Sequence, residues 1–461
     1  MTNVVATTPE GPSSAPRVSF WTLGCRLNQY DTAALRARLM EAGLDPGTGD
    51  PAQSDVILVN TCTVTRRADQ EARQLVRRLH RESPGARIVV TGCYAQRAPE
   101  ELRALPGVSA VLGSAERDNP ETLMRAVEGE PGVEVGPARN RRPFATGAPL
   151  SIGRSRALLK IQDGCDSFCA YCIVPYVRGR SRSLPRAPAL ERARRLLDTG
   201  FSEIVLTGAD LGSYGRDLGE PDALPRLVED LIGLGDRHRV RLSSIEPNKL
   251  HPELLPMIGT LPRLCRHLHL PLQSGSNRIL REMRRGYARE EFMALLAEIV
   301  QRGPVGIGTD VIVGFPGEGE TEFEETLRFL EEAPVTFLHV FRYSARPGTA
   351  AAGLPASGGT DSRIRERSGT LRALGEAKRQ AFLSSLAGKT LPVVMESGRG
   401  RRGPVAMSDV FVPVELDFDP ESRHGILDVR ITGGDGARLA GTAAPQAAAA
   451  TSLRKAGAAI G

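Results

Sequence analysis

The sequence predicts an α/β protein with three parts: an N-terminal parallel α/β domain, an open partial (β/α)6 barrel and a small C-terminal β-barrel. Short β-branched runs alternate with helical patterns over residues 17–128 and again over 154–386, which is typical of parallel sheets. After Gly388 the apolar runs become short and are separated by Gly, Pro and Asp, which favours a small all-β domain. The length of 461 residues suits about three domains.

The composition excludes several classes of protein. Hydrophobic residues make up 41% and charged residues 25%, as in ordinary globular proteins. No apolar run approaches the roughly 20 residues of a membrane-spanning helix, and the start lacks a secretion signal. We therefore expect a cytoplasmic protein with no membrane partner. The net charge is +6, and residues 360–403 alone hold ten Lys or Arg against four Asp or Glu, a local excess that favours a polyanionic partner.

Within the first part, three apolar runs each end at a cysteine. They are 18–25, 56–62 and 87–93, which end at Cys25, Cys62 and Cys93. Helical patterns follow at 30–43, 66–82 and 98–105, and a fourth run at 108–113 precedes a helix near 119–128. Each thiol then lies at the carboxyl end of a parallel strand, the edge where α/β sheets bind ligands. We expect a metal cluster there; the alternative is three buried core cysteines.

A Gly/Pro/Arg-rich linker over 129–153 precedes the second series of strands and helices. Six repeats are fewer than the eight that close a full barrel, so we predict an open one. The predicted strands are 156–163, 203–208, 239–245, 267–272, 307–313 and 337–343. The predicted helices are 188–199, 223–234, 251–260, 276–285, 289–302 and 320–332.

Directly after the first of these strands come Cys165, Cys169 and Cys172 in a C-x-x-x-C-x-x-C arrangement. Three thiolates this close bind three irons of a cubane cluster and leave the fourth iron open to a substrate or cofactor. A structural zinc site would need a fourth Cys or His nearby, and the next His is His238. An iron–sulfur cluster is therefore favoured over zinc. The remaining Cys265 has no partner and is interpreted as a structural thiol.

The C-terminal part begins with a long helix over 360–387. It continues with β-like runs at 390–396, 404–412, 425–432 and 437–441, which suit a small barrel of the kind that often contacts nucleic acid. We expect disorder over 1–16 and a tail over 443–461. His267 and His269 alternate along one strand, and sheet packing is favoured for them over a metal pair.

The three-cysteine loop, followed by Ile173-Val174-Pro175-Tyr176-Val177-Arg178-Gly179-Arg180, resembles the radical S-adenosylmethionine (SAM) enzymes. From about 17 to 441 the chain resembles their methylthiotransferase branch. Four stretches are similar to the enzymes that modify threonylcarbamoyladenosine in tRNA: 23–30, 60–65, 91–96 and 243–247. This resemblance implies a methylthiotransferase N-terminal domain (17–128), a radical SAM core (154–386) and a TRAM-like domain (387–442).

The resemblance also implies two [4Fe–4S] clusters and SAM as cofactors. Cys165, Cys169 and Cys172 would hold the cluster that binds SAM and releases a 5′-deoxyadenosyl radical. Cys25, Cys62 and Cys93 would hold the second cluster, which carries the sulfur that is delivered. The product would be a methylthio group on carbon 2 of the adenine. Both clusters are expected to face one shared cavity.

Residues expected to contact SAM come mainly from the ends of the core strands. They are Tyr171, Gly208, Ser244, Glu246, Gln273 and Val313. The expected partners are tRNA, an electron donor such as a flavodoxin or ferredoxin, and a sulfur donor. Arg178, Arg180 and Arg182 are candidates for phosphate contacts. The alternatives are methylthiolation of isopentenyladenosine in tRNA or of a ribosomal protein, and a non-catalytic iron–sulfur protein that binds RNA.

Overall fold

The computed structural model describes residues 16–44, 50–138, 144, 156–355, 359–420 and 424–444. The chain forms two compact units, one over residues 1–63, 67–138 and 145–149, and the other over the remaining residues to 461. Each unit is described by itself. The predicted disordered start and tail fall outside the described residues, apart from residues 16, 443 and 444. In the part of the chain that is described, no helix combines the length and the hydropathy that a membrane span requires.

The first unit contains a five-stranded sheet whose strands pair in parallel and in chain order. The central strands are buried except for the partly exposed Arg87, since apolar clusters cover both faces of the sheet. A short fifth strand lies in the predicted linker and was not predicted. The strands are β1 (Val18–Thr22), β2 (Val56–Thr61), β3 (Arg87–Gly92), β4 (Val108–Leu112) and β5 (Gly132–Glu134).

Helices follow the strands of this unit along the chain. The predicted helix at 98–105 is present over residues 99–103, and a second short helix over 93–97, which was not predicted, precedes it. Ala98 separates the two, because it precedes Pro99 and adopts non-helical angles of φ −146° and ψ 69°. The helices are α1 (Arg26–Glu41), α2 (Arg66–Glu82), α3 (Cys93–Arg97), α4 (Pro99–Arg103) and α5 (Pro120–Glu128).

The second unit contains the predicted open barrel of six parallel strands. Two three-stranded sheets are joined by a parallel bridge from Ser244 to His269, and a small antiparallel hairpin, β7 with β8, follows the first strand. The barrel strands are β6 (Arg156–Lys160), β9 (Glu203–Thr207), β10 (Arg239–Leu242), β11 (His267–His269), β12 (Gly306–Val313) and β13 (Phe337–Arg342); the hairpin is β7 (Gln162–Asp163) and β8 (Arg182–Ser183).

Helices cover the outer face of this barrel and bury one continuous apolar core. The predicted helix over 276–285 ends early, and the positive φ of 58° at Arg284 is incompatible with its continuation. The helices are α6 (Val174–Arg178), α7 (Arg186–Asp198), α8 (Ala223–Gly233), α9 (Leu254–Met257), α10 (Asn277–Glu282), α11 (Arg289–Val300) and α12 (Glu320–Glu332).

After α13 (Asp361–Ser385), five strands close a small barrel in the order β14-β15-β16-β18-β17. The predicted run at 404–412 breaks at a turn in which Phe411 has φ 66°, and an unpredicted strand follows it. The strands are β14 (Thr390–Arg399), β15 (Pro404–Ser408), β16 (Pro413–Leu416), β17 (Leu427–Gly434) and β18 (Leu439–Ala443).

The small barrel packs against the amino ends of the larger barrel's strands. Arg239 and Arg241 from the start of β10 reach carbonyl oxygens of the small barrel, among them that of Ser408 at 2.9 Å from Arg241 Nη2. Glu203 at the start of β9 accepts hydrogen bonds from both guanidinium groups. These hydrogen bonds to the small barrel lie at the amino ends of the strands, whereas the three-cysteine loop begins at the carboxyl ends.

Candidate functional site

The loop that carries Cys165, Cys169 and Cys172 leaves β7 and ends at α6. Gly164 makes its first turn with φ 72°, and a Cβ there would lie 2.1 Å from the carbonyl oxygen of Arg180, so only glycine fits. Cys165 N donates to Gly179 O at 3.1 Å, and Ala170 N donates to Met283 O at 2.9 Å. These backbone bonds hold the three thiols within one short loop.

Burial has the largest effect on the protonation of Cys165 and Cys172. It raises the pKa of Cys165 to about 11, with the Asp210 carboxylate adding to the effect, and that of Cys172 to about 12, with the Cys169 thiol adding. Metal ligation requires thiolates, so binding must release protons from these groups. The Ser167 amide already donates to Cys165 Sγ at 3.4 Å, which is a bond that stabilises a thiolate.

Arg285 is a buried cation in contact with the trio, and the sequence did not reveal it. Its guanidinium is 2% exposed and donates to Cys169 Sγ at 3.4 Å and to Glu246 Oε1 at 2.9 Å. It also donates to Pro271 O at 3.1 Å. A buried positive charge is therefore in direct contact with one of the three sulfurs. No spacing in the sequence connects Arg285 to a loop more than a hundred residues away.

A cavity of about 460 Å³ opens beside Cys169. Its lining is strongly polar and includes Glu246, Lys249 and Arg284. Lys249 Nζ contacts Asp210 Oδ2 at 2.5 Å and Ser167 Oγ at 2.7 Å, so its charge also lies close to the loop. The lining of the cavity therefore carries charged side chains of both signs.

The structure places the predicted SAM-contact residues in different settings. Glu246 lines the cavity, and the Tyr171 ring packs beside the loop with its hydroxyl 3.5 Å from Arg285. Gly208 lies against Gln162, since a Cβ would approach its Oε1 to 2.7 Å. The remaining three residues do not line the cavity. Ser244 is exposed and forms a bridge to β11, and Gln273 is buried with φ 73°. The Val313 side chain is buried in the apolar core.

In the first unit, Cys25, Cys62 and Cys93 follow β1, β2 and β3. Cys25 precedes α1 and is exposed, whereas Cys62 and Cys93 are each 6% exposed. Because these strands are adjacent and parallel, the three thiols lie along one sheet edge. A Cβ on Gly24, which has φ 101°, would meet Cys62 Sγ at 2.9 Å, so the first loop lies directly against the second thiol.

Buried amides fix the first two loops of this edge, and Cys93 Sγ of the third loop lies 4.0 Å from Asn28 Oδ1. Asn28 Nδ2 donates to Leu23 O at 2.8 Å and to Thr61 O at 3.1 Å. Asn60 Nδ2 donates in turn to Asn28 O at 2.9 Å. Asn28 and Asn60 are fully buried, and buried amides with satisfied bonds specify one backbone arrangement. The donor set of three thiols on fixed loops fits a cluster with one open iron.

Cys265 lies apart from the second unit's trio. It is 2% exposed and sits near Glu203 and Arg241, at the amino end of the strands. Burial raises its pKa to about 12, which describes an inert structural thiol.

Several basic residues proposed for RNA contacts have partners within the chain. Arg178 is 4% exposed and binds Asp163 Oδ1 at 2.9 Å, so the expectation that it reaches phosphate is wrong. Lys378 donates to two carbonyl oxygens, and Arg367 binds Glu320 at 2.9 Å. By contrast, Arg180 is 48% exposed in its pair with Asp166.

Two protein families match the chain. Residues 17–113 match the uncharacterized protein family UPF0004, and residues 159–330 match the Radical SAM superfamily. Among solved structures, a radical SAM methyltransferase, TsrM from Kitasatospora setae, shares the fold with a TM-score of 0.54 at 15% identity. That similarity covers 73% of this chain and 77% of the other.

Two curated relatives cover most of the chain. The threonylcarbamoyladenosine tRNA methylthiotransferase MtaB of Aquifex aeolicus is 39% identical over 83% of this chain and 94% of its own length. The tRNA-2-methylthio-N(6)-dimethylallyladenosine synthase of Geotalea uraniireducens is 37% identical over 91% of this chain and 97% of its own length. With the two cysteine trios and the open barrel in place, these matches show that the chain belongs to the radical SAM methylthiotransferase family.

Proposed function

We propose that this protein places a methylthio group on carbon 2 of threonylcarbamoyladenosine in tRNA, with SAM and two [4Fe–4S] clusters as cofactors. The observation that carries the proposal is the pair of cysteine trios, each at the carboxyl edge of parallel strands. The identity of 39% with a relative that bears this activity in its name supports the substrate.

The loop of Cys165, Cys169 and Cys172 would hold the cluster that binds SAM. When bound, this cluster and SAM would supply one-electron chemistry that breaks an aromatic C–H bond. Acid–base catalysis alone does not break such a bond. Arg285 would donate a hydrogen bond to Cys169 Sγ beside the bound cluster. The charged groups of Glu246 and Lys249 orient a zwitterionic ligand in the adjoining cavity. The packed rings and aliphatic side chains around Tyr171 exclude water from the loop.

Cys25, Cys62 and Cys93 would hold the second cluster. This cluster would carry the sulfur that is delivered to the adenine. The reaction also needs electrons and sulfur from outside the chain, and we propose a flavodoxin or ferredoxin as reductant and a separate sulfur donor. Exposed basic residues such as Arg180 would contact tRNA phosphates, so binding should weaken steeply as salt rises.

Cluster content tests the assignment of the cysteines. We expect the anaerobically reconstituted protein to hold about eight irons, and Cys25→Ala and Cys165→Ala each to hold about four. Cys265→Ala is the matched control, because its buried thiol belongs to neither trio, and it should keep all of them. Full iron in Cys25→Ala would show that the first trio binds no cluster.

The modified nucleoside tests the substrate. Digested tRNA from cells that lack the gene should lose the methylthio form of threonylcarbamoyladenosine, and the gene on a plasmid should restore it. The second candidate is dimethylallyladenosine, favoured by the relative from Geotalea uraniireducens at 37% identity. Loss of that methylthio nucleoside instead would identify the second candidate. An unchanged nucleoside profile would exclude both.

A further inference from the structure

Three side chains from neighbouring strands meet in the second unit at a place that involves none of the cysteines. They are His269 at the end of β11, Asp310 within β12 and His339 within β13. One nitrogen from each histidine and one carboxylate oxygen lie within 4.8 Å of one another. The alternation of His267 and His269 along one strand favours sheet packing for both residues. The structure gives that role to His267, whose ring centroid lies 4.6 Å from that of Phe411.

The strand register builds this group. Asp310 pairs directly with His339 across β12 and β13, so their side chains project from the same face of the sheet. His269 pairs with Gly308, two residues before Asp310. A Cβ at Gly308 would lie 2.6 Å from His269 Nδ1. The glycine therefore leaves the space in which the His269 ring leans toward Asp310.

Both imidazoles are aimed at the same oxygen. His269 Nε2 lies 3.0 Å and His339 Nδ1 lies 3.1 Å from Asp310 Oδ1, and the two rings stack with centroids 5.2 Å apart. Although burial opposes it, hydrogen bonds from His269 and His339 hold the pKa of Asp310 well below its usual range. The carboxylate is thus an anion at neutral pH.

The group remains open to solvent on one side. The His269 side chain is 13% exposed, that of Asp310 is 23% and that of His339 is 57%. Two imidazoles and one carboxylate with open positions form a donor set that suits divalent transition metals. The same atoms form a hydrogen-bonded group without a metal, so binding has to be measured directly.

We propose that His269 Nε2, an Asp310 carboxylate oxygen and His339 Nδ1 bind one divalent transition-metal ion. The ion would leave at least one coordination position free for an oxygen or nitrogen ligand from solvent or substrate. None of the three ligands is a cysteine, and the proposal does not depend on the proposed substrate.

Zinc binding to the anaerobically reconstituted holoenzyme tests the proposal, because the clusters then occupy the cysteines. After passage over a chelating resin, equilibrium dialysis against Zn²⁺ with elemental analysis should show one ion per chain. His339→Ala should weaken binding by at least about 100-fold, more than loss of an outer partner costs. His251→Ala is the matched control, since His251 Nε2 contacts Asp222 at 2.9 Å without a second imidazole, and it should bind as the wild type does.

Two further measurements distinguish loss of the ligand from loss of the fold and identify the atoms that bind zinc. Asp310→Asn preserves the side-chain shape and should also lose the ion, while circular dichroism shows that the fold is retained. X-ray absorption at the zinc edge should show nitrogen and oxygen ligands with imidazole scattering. No zinc on the wild type, equal zinc on His339→Ala, or a sulfur shell at the zinc would each overturn the proposal.

Discussion

Glu203 is the buried anion that joins the small barrel to the larger one, and its replacement by Gln should destabilise the second unit. The carboxylate is 0% exposed, and its two oxygens accept from Arg239 Nε and Arg241 Nε, both at 2.7 Å. The two guanidinium groups are at most 1% exposed. Glu203→Gln leaves both cations buried with a neutral amide between them.

The magnitude follows from the burial. Breaking a buried ion pair by removing one partner costs about 3–5 kcal/mol. At about 2 °C per kcal/mol, appropriate for a large unit, the Tm should fall by roughly 6–10 °C. The expected loss of stability agrees with the charge state of Glu203. Although burial alone would raise the pKa of this carboxyl, the two arginines hold it below its usual range. Its stabilisation is therefore present at neutral pH and is lost only in strong acid.

Scanning calorimetry of the anaerobic holoenzyme measures this shift. Glu191→Gln is the matched control, because it makes the same chemical change in a pair whose side chains are 61% and 63% exposed, and it should change stability by less than about 1 kcal/mol. Trp21, the single Trp, lies in the first unit and provides a reference transition by fluorescence. A Tm within 2 °C of wild type at roughly neutral pH would refute the reasoning, because the buried charges would then cost less than about 1 kcal/mol.

Two further predictions concern pH and the cluster loop. Burial raises the pKa of Glu318 to about 7, so the folded protein takes up a proton there and wild-type stability should fall as pH rises from about 4.5 to 7. Glu318→Gln should remove this loss of stability, which is at most about 3 kcal/mol. Urea unfolding of both proteins at pH 5 and pH 8 measures the free energy of unfolding, and an equal change with pH in both proteins would contradict the prediction. Gly164→Ala should lose about half of the bound iron, since its Cβ meets Arg180 O at 2.1 Å. Gly219→Ala, with φ 76° and nothing within 4 Å of the new Cβ, shares only the backbone strain and should keep its iron; equal iron in both would contradict the steric argument.

Local patterns were sufficient to predict most of the architecture. Buried β-branched runs with helical patterns between them predicted the parallel strands, and the structure confirms the fold class, including the six-stranded open barrel and the C-terminal barrel. Errors arose where a single backbone conformation decides the outcome. The positive φ of Arg284 ended the predicted helix over 276–285 early, and the positive φ of Phe411 separated two strands.

The sequence by itself determined the two cysteine trios, because the spacing of one trio and the strand-end positions of the other are local properties. Only the tertiary structure decided what surrounds them. Arg285 reaches Cys169 across 116 positions, and Asp310 meets His269 and His339 through strand register. Such contacts depend on how separate strands and loops pack in space, and hydrophobic periodicity carries no information about polar side chains that meet across the fold.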